Sequence, residues 1–446
     1  MIEELKKHFF WKYSVVEDGL LSSSRLSSSK NLLMIVRVFY GAFFYFMFRE
    51  SGVANRLAKR TLSEPVWSLT WIDYVNYEFM VYFLVYGTIV SLVFAIVFTD
   101  LRSSRLLVFV FFFFYASLIN SFGKINHGFH HILIPLFGFV FLPSSNEKNN
   151  LKSSIVFLST VLFLLFAYSI SGWWKLEAGV AQFLKGEVSI FSIDSLSSHL
   201  ARRLMETNET APVGDFLVHH PIYGAIMMLS TLYFELFAVL IFFRPSIHRL
   251  WGVLLAFMHL GIYLCMNINF GHSVLALAVL LMSSPFDQGK FNFKKALYEL
   301  PLFGSIISAF VFVMSSKDNA TVYYDGNCGV CDGLVQLLLK NRVQNILFSP
   351  LKGVAYHERY SDDVSYVQID TVLFTTDKET WVRSQALTRA FLNCKGSLKL
   401  LGFIMAFIPS EIMDVFYMVF APIRKKVIRH NSCTLPTETE RTMFIP

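Results

Sequence analysis

The sequence predicts a polytopic α-helical membrane bundle of eight or nine transmembrane helices, followed by a small α/β domain at the C-terminal end. Three observations carry this expectation. Apolar runs follow one another from residue 31 to about residue 283. Hydrophobic residues make up 54% of the 446-residue chain and charged residues only 16%, against roughly 25% charged in a soluble domain. Beyond residue 316 the pattern changes to strands alternating with amphipathic helices, the signature of an α/β unit. The expected organisation is a polar arm over 1–30, a transmembrane domain over 31–315 and a C-terminal domain over 316–446.

The runs come in order at 31–48, 77–98, 106–122, 130–142, 154–174, 221–243, 250–268 and 273–282, with 300–314 as a ninth. Most reach the roughly 20 residues that a spanning helix needs. The fourth, which contains Pro135, and the eighth are short and would have to be tilted, re-entrant or extended by their flanks. The arm over 1–30 has no apolar stretch of signal-peptide length, so the first run itself would direct insertion into an inner or plasma membrane.

With that arm cytoplasmic, the basic groups around 102–105, 146–152, 244–249 and 290–295 all fall inside, as the positive-inside bias asks. The loop with Arg49, Arg56, Lys59 and Arg60 runs against it. Nine spans put the C-terminal domain outside and eight put it inside; the extracytoplasmic side is favoured. A formal charge of +7, with no Lys/Arg block breaking the apolar pattern, fits basic loops on an anionic membrane surface rather than a nucleic-acid partner.

After the polar linker, Thr321–Tyr324 reads as a strand, Asp325-Gly326-Asn327 as a tight turn and the residues after it as a helix. Cys328 falls at the helix start, where the partial positive charge favours thiolate over thiol. Cys331, three residues on, shares its helical face and can close a disulfide that exchanges with a substrate. A zinc half-site completed by Cys394 and Cys433 competes with this reading, but no second Cys-x-x-Cys or His pair follows, and no metal is expected. The strand 368–376 and the helix 384–392 complete the α/β pattern. The apolar stretch 401–423, divided by Pro409, Ser410, Glu411 and Asp414, reads as two packed helices.

Residues 321–446 resemble the DCC family of thiol-disulfide oxidoreductases. The resemblance rests on the strand, on Asp325, Gly326, Cys328 and Cys331, on Ser384 with Ala386, and more loosely on Tyr417 and Arg424. It implies a thioredoxin-like fold, redox-active cysteines and a protein thiol or disulfide as substrate.

Ionisable groups inside an apolar bundle are costly and tend to be functional. Three stand out: His127, in the Asn-His-Gly-Phe-His-His element at 126–131; Lys175, in Gly-Trp-Trp-Lys-Leu-Glu at 172–177; and Glu235, in the middle of the sixth run. The charge bias puts His127 and Lys175 at the same face. Lys175 beside Trp173 and Trp174 would be a desolvated base in an aromatic pocket or, on the plainer reading, an interfacial anchor in a tryptophan belt. His130 and His131 read as interfacial polar residues, Cys265 as a small core residue, and Glu235 as a partner of a histidine or hydroxyl across the bundle.

Over about residues 25–300, these elements resemble the HTTM family, which includes the vitamin K-dependent gamma-carboxylases. The match is Asn126–His127 and Gly172 with Lys175–Leu176. It implies a lipid quinone (vitamin K-like hydroquinone) as cofactor, Lys175 as the base that deprotonates it and His127 at the same site. The aromatic setting and the apolar run themselves add Trp173, Trp174 and Glu235 as further candidates for binding it. The large β-rich domain of the carboxylases has no counterpart here.

Taken together, the sequence points to a membrane-bound thiol-disulfide oxidoreductase, with Cys328 and Cys331 as its thiols, attached to a bundle that contacts membrane lipids and takes a quinone. A carboxylase-like enzyme that oxidises a hydroquinone, and a non-catalytic scaffold or transporter, are the alternatives.

Overall fold

The computed structural model describes residues 27–446 except 63, 124, 126, 287–291, 316–318, 327–328, 343–345, 352, 362–370, 378 and 428–437. Asn126, Cys328 and Cys433 therefore lie outside the described residues. The chain forms two compact units, one over 21–289 and one that contains 290–446.

The first unit is helical: α1 (Ser29–Glu50), α2 (Tyr77–Val97), α3 (Arg102–Asn120), α4 (His127–Val140), α5 (Asn150–Leu184), α6 (Ser195–Thr207), α7 (Pro212–His219), α8 (Pro221–Leu236), α9 (His248–Met266) and α10 (Gly271–Leu277), which continues as a π-helical turn over Ala278–Met282. Ser28 and Asn76 cap α1 and α2 by accepting from the backbone of Asn31 and Phe79 at 3.2 and 2.9 Å, as short polar side chains do at helix starts. Much of the core is aromatic. Phe43 meets Phe112 edge to face at 4.8 Å, and Phe39 meets Phe139 at 5.4 Å, the geometry that ring quadrupoles prefer. Arg105, only 1% exposed, spends its guanidinium on the carbonyls of Phe139, Thr99 and Leu142. It thereby satisfies the open C-terminal end of α4.

Among the described residues five helices are long and apolar enough to cross a membrane, and up to seven if each of two bent helix pairs is one span. The helices over 127–140, 221–236 and 271–282 are shorter. Two elements differ from the sequence reading. α5 does not end at Trp174 but runs on to Leu184, 35 residues in all or ~52 Å of helix, so Lys175 lies within the helix and not at its end. The sixth run is broken: α8 stops at Leu236, and a short helical turn follows over Ala238–Ile241.

The second unit holds α11 (Phe293–Glu299), α12 (Phe303–Ser315), β1 (Ala320–Tyr324), α13 (Gly329–Asn341), β2 (Ile346–Pro350), α14 (Val354–Tyr360), β3 (Leu373–Thr376), β4 (Thr380–Val382), α15 (Arg383–Leu392), α16 (Gly396–Ala406) and α17 (Ser410–Val427). The strand order is β2-β1-β3-β4, with β1 parallel to β2 and antiparallel to β3, and β3 antiparallel to β4. Val322, Phe348 and Phe374 from the sheet pack on Val335 and Leu338 of α13 and on Ala386 and Ala390 of α15.

The outer edge of β2 is covered by the C-terminal residues: Phe348 donates to Met443 O at 2.8 Å, and Ile445 donates back to Phe348 O at 2.9 Å. Covered edges do not template further strands. The segment 300–314, an expected ninth span, forms α12, bent by 104° from α11 and packed within this unit. Its Ser308 accepts from Arg389, whose guanidinium lies 5.2 Å from the ring centres of both Phe312 and Trp381. The stretch 401–423 is likewise two helices, α16 and α17, bent by 112°.

Candidate redox site and a buried ion pair

The register of the sheet gathers four chain segments at one end. β1 and β2 finish together, Tyr324 opposite Pro350. β3 begins and β4 finishes there, since Leu373 pairs with both Tyr323 and Val382. The turn that starts at Asp325-Gly326 leaves β1 at this end, and α13 begins at Gly329, the residue after Cys328 in sequence. Cys331, third in α13, is buried at 7% exposure on the face that carries Val335 and Leu338, as spacings of four and seven dictate.

Around the same end, Tyr417 of α17 accepts from Thr371 Oγ1 at 2.9 Å and from the backbone of Val372 at 3.3 Å. Ser384, opening α15, donates its N–H and its hydroxyl to Asp414 Oδ1 of α17 at 3.1 and 2.5 Å. The Ser384 and Tyr417 elements thus have a structural role: they fasten α17 over the β3 and β4 ends. The side chain of Arg424 lies outside the described residues.

Sequence reasoning missed Arg383. It is buried, has φ +54°, and donates its N–H to Val372 O at 3.0 Å. A left-handed backbone at a non-glycine residue costs of order 1–3 kcal/mol and tends to persist at functional sites. The signal in the sequence was only its place before Ser384.

Cys394 stands apart. It bridges to Arg342, beyond the C-terminal end of α13, eleven residues from Cys331 along the helix direction, or ~16 Å at 1.5 Å per residue. That separation prevents the two from sharing a metal. Its Sγ donates to Ala390 O at 3.3 Å, and burial pushes this thiol up to about 11, so it behaves as a core residue. Cys265 is also buried, against Leu196, Leu200 and Leu217.

In the helical unit, Lys175 and Glu235 come together. Lys175 Nζ pairs with Glu235 Oε2 and donates to Ser171 Oγ at 2.9 Å, and Ser171 reaches Glu235 Oε2 at 3.5 Å. The carboxylate side chain is 7% exposed and the lysine side chain 38%. Gly172 makes the approach feasible: a Cβ there would stand 2.5 Å from Leu236 N and 2.7 Å from Leu236 Cα. Ser169 completes the seam by accepting from Val239 N at 2.8 Å and donating toward the carbonyls of Glu235 and Leu236, the backbone groups that the α8 break leaves over.

The other residues expected at this site lie apart from the pair. Trp173 and Trp174 are 60% and 65% exposed and do not wall Lys175, because at 100° per residue they turn away from the face of Ser171, Gly172 and Lys175. His127 is exposed with its ring 5.5 Å from that of His130, and none of the described hydrogen bonds joins it to Lys175. Other histidines are engaged inside the unit. Half-buried His131 stacks on Tyr168 at 4.8 Å and bonds Ser273 Oγ at 2.6 Å, while the Tyr168 hydroxyl meets Nε2 of buried His259 at 2.7 Å. A histidine inside each apolar run was the available signal for both.

The C-terminal region has relatives. It is 25% identical over 131 residues to the uncharacterized protein YuxK of Bacillus subtilis (strain 168), a match over 29% of this chain and 95% of that protein. No solved structure matches the chain. Residues 322–430, which carry the converging strand ends, Cys331, Ser384 and Asp414, match the model of the DCC1-like thiol-disulfide oxidoreductase family, and the match supports a thiol-disulfide oxidoreductase domain at this end of the chain.

Proposed function

We propose that the protein is a membrane-anchored thiol-disulfide oxidoreductase acting on protein disulfides through Cys328 and Cys331. The observation that supports it most is the convergence of the β1 turn, the start of α13 and the clamped start of β3 at one sheet end. The strand order and the βαβ-ββα arrangement favour a thioredoxin-like reading. The Cys328 thiolate attacks one sulfur of a substrate disulfide, forms a mixed disulfide and expels the other sulfur as a thiolate. Cys331 then attacks Cys328 Sγ, releases the second substrate thiol and leaves a Cys328–Cys331 disulfide. Two electrons pass to the substrate, and a dithiol reductant returns the pair to its reduced form. In the purified full chain, Cys331→Ser traps a mixed disulfide through Cys328; a Cys328→Ser variant that traps instead reverses the roles.

A second reading concerns the helical unit. The HTTM-like motifs and the Lys175–Glu235–Ser171 group, ionisable side chains of the kind that mark function in apolar bundles, favour a lipid quinone bound near Lys175. Such a quinone would accept two electrons and two protons from the reduced cysteine pair, and the resulting disulfide would then oxidise protein dithiols rather than reduce disulfides. A carboxylase-like use of Lys175 as base is the alternative for the same site. Purified protein that carries a quinone, lost in Lys175→Ala and Lys175→Arg, supports this reading; protein without one, and Lys175→Arg behaving as wild type, removes it.

A further inference from the structure

A separate pocket of about 610 Å³ lies between α9, α10 and the C-terminal half of α1, within the ~300–1,000 Å³ typical of small-molecule sites. Phe46, Ala256, Phe257, Leu260, Phe270 and Ala278 make its walls apolar. Phe257 and Leu260, 64% and 48% exposed, stand at its mouth on the outer face of α9. That face would meet lipid chains if the unit spans a bilayer, the reading on which this inference rests.

One buried polar group lines the cavity. His259, 5% exposed, uses Nε2 on the Tyr168 hydroxyl, while Nδ1 is buried with no hydrogen-bond partner among the described residues. Asn269 is already engaged with the backbone of Gly271 at 2.8 Å. A buried imidazole nitrogen without a partner is destabilising, and Nδ1, sealed as the ring now stands, would gain one from a ligand oxygen when the ring turns toward the pocket it lines. Another part of the lining is itself irregular: Ala278 and Met282, both lining residues, are the ends of the π-helical turn, a departure that recurs at functional sites.

We propose that this pocket binds a membrane amphiphile, an alkyl chain carrying one oxygen headgroup that hydrogen-bonds His259 Nδ1 and entering sideways past Phe257 and Leu260. The oxygen is that of a hydroxyl or of a ring carbonyl; either gives the imidazole its missing partner in one tautomer or the other.

The test uses the detergent-purified full chain and a diazirine-bearing hexadecanol probe. Photolabelling should map to the 248–282 segment and fall about tenfold in Ala278→Phe and in His259→Phe. Unlabelled hexadecanol as the effective competitor assigns the site to a simple lipid, and a decyl-benzoquinone assigns it to a quinone. Ala256→Leu, a smaller filling change, serves if Ala278→Phe does not fold. Labelling unchanged in a filling variant that melts like wild type, or equal labelling by a diazirine alkane lacking the oxygen, overturns the proposal. The readout involves no thiol turnover, so its failure leaves the oxidoreductase reading standing.

Discussion

Ser384 commits both of its donors to a single oxygen of Asp414, the backbone N–H at 3.1 Å and the hydroxyl at 2.5 Å, with both residues buried. This fixes α17 to the first turn of α15 at the end of the sheet where the cysteine turn emerges. The cost of breaking it is asymmetric, because an orphaned buried donor is penalised more than a lost pair. Asp414→Ala strands two donors and should destabilise the C-terminal unit by about 2–4 kcal/mol, whereas Ser384→Ala keeps the backbone donor and should cost about 1 kcal/mol. Denaturant midpoints followed by Trp381 fluorescence distinguish the two; equal costs would contradict the assigned geometry.

Lys175 and Glu235 predict a second asymmetry. Glu235 is almost wholly buried and Lys175 is more than a third exposed. Lys175→Met therefore leaves a carboxylate without its cation, while Glu235→Gln leaves an ammonium that is not enclosed by the bundle and keeps Ser171 as an acceptor. The first should lower the melting temperature in detergent more than the second. A double variant should recover part of the loss, by a coupling of about 1–2 kcal/mol.

Gly172→Ala should be worse tolerated than its chemistry suggests. The added methyl meets the Leu236 backbone at 2.5 Å, and backbone in a packed seam cannot rotate away, so a loss of about 1–3 kcal/mol is expected. Thermal melts with Gly41→Ala as control, where a Cβ meets nothing within 4 Å, isolate the steric part.

Cys394 carries a pH prediction. Burial raises its thiol from an ordinary value of 9.0 to about 11, so the folded form holds its proton where the unfolded form has lost it. The stability this contributes is fully present below pH 9 and declines as pH rises from 9 through 11. Cys394→Ala should flatten that decline in denaturant titrations, and iodoacetamide at pH 8.5 should leave Cys394 unmodified in the native protein.

Much of the architecture was legible because it follows from local pattern. The long apolar runs became helices close to their expected limits, and the strand before Asp325 and the helix after Cys328 lie where turn chemistry put them. The extension of α5 was hidden because polar, charged residues after Trp174 still form helix well. The strand Ile346–Pro350 ends in a proline, which argues against a strand, and Thr380–Val382 has only three residues, so neither announced itself before its pairing with neighbours was known. In the bundle, Lys175 and Glu235 were each conspicuous, yet their pairing depends on how two helices sixty residues apart are set against each other. Trp173 and Trp174 misled for the same reason: adjacency in sequence is not adjacency on a helix. His131 was read as an interfacial polar residue and His259 was passed over, because a histidine in an apolar run does not reveal which tyrosine or serine awaits it.

The central claim is that Cys328 and Cys331 form a redox pair, and equilibration of the purified full chain in glutathione buffers of graded potential tests it most directly. The account predicts a reversible two-electron transition, read by mass after alkylation, that places a disulfide between Cys328 and Cys331, leaves Cys394 reduced and disappears in Cys331→Ser. A chain whose two cysteines remain alkylatable across the whole range, or which binds zinc stoichiometrically through them, would contradict it.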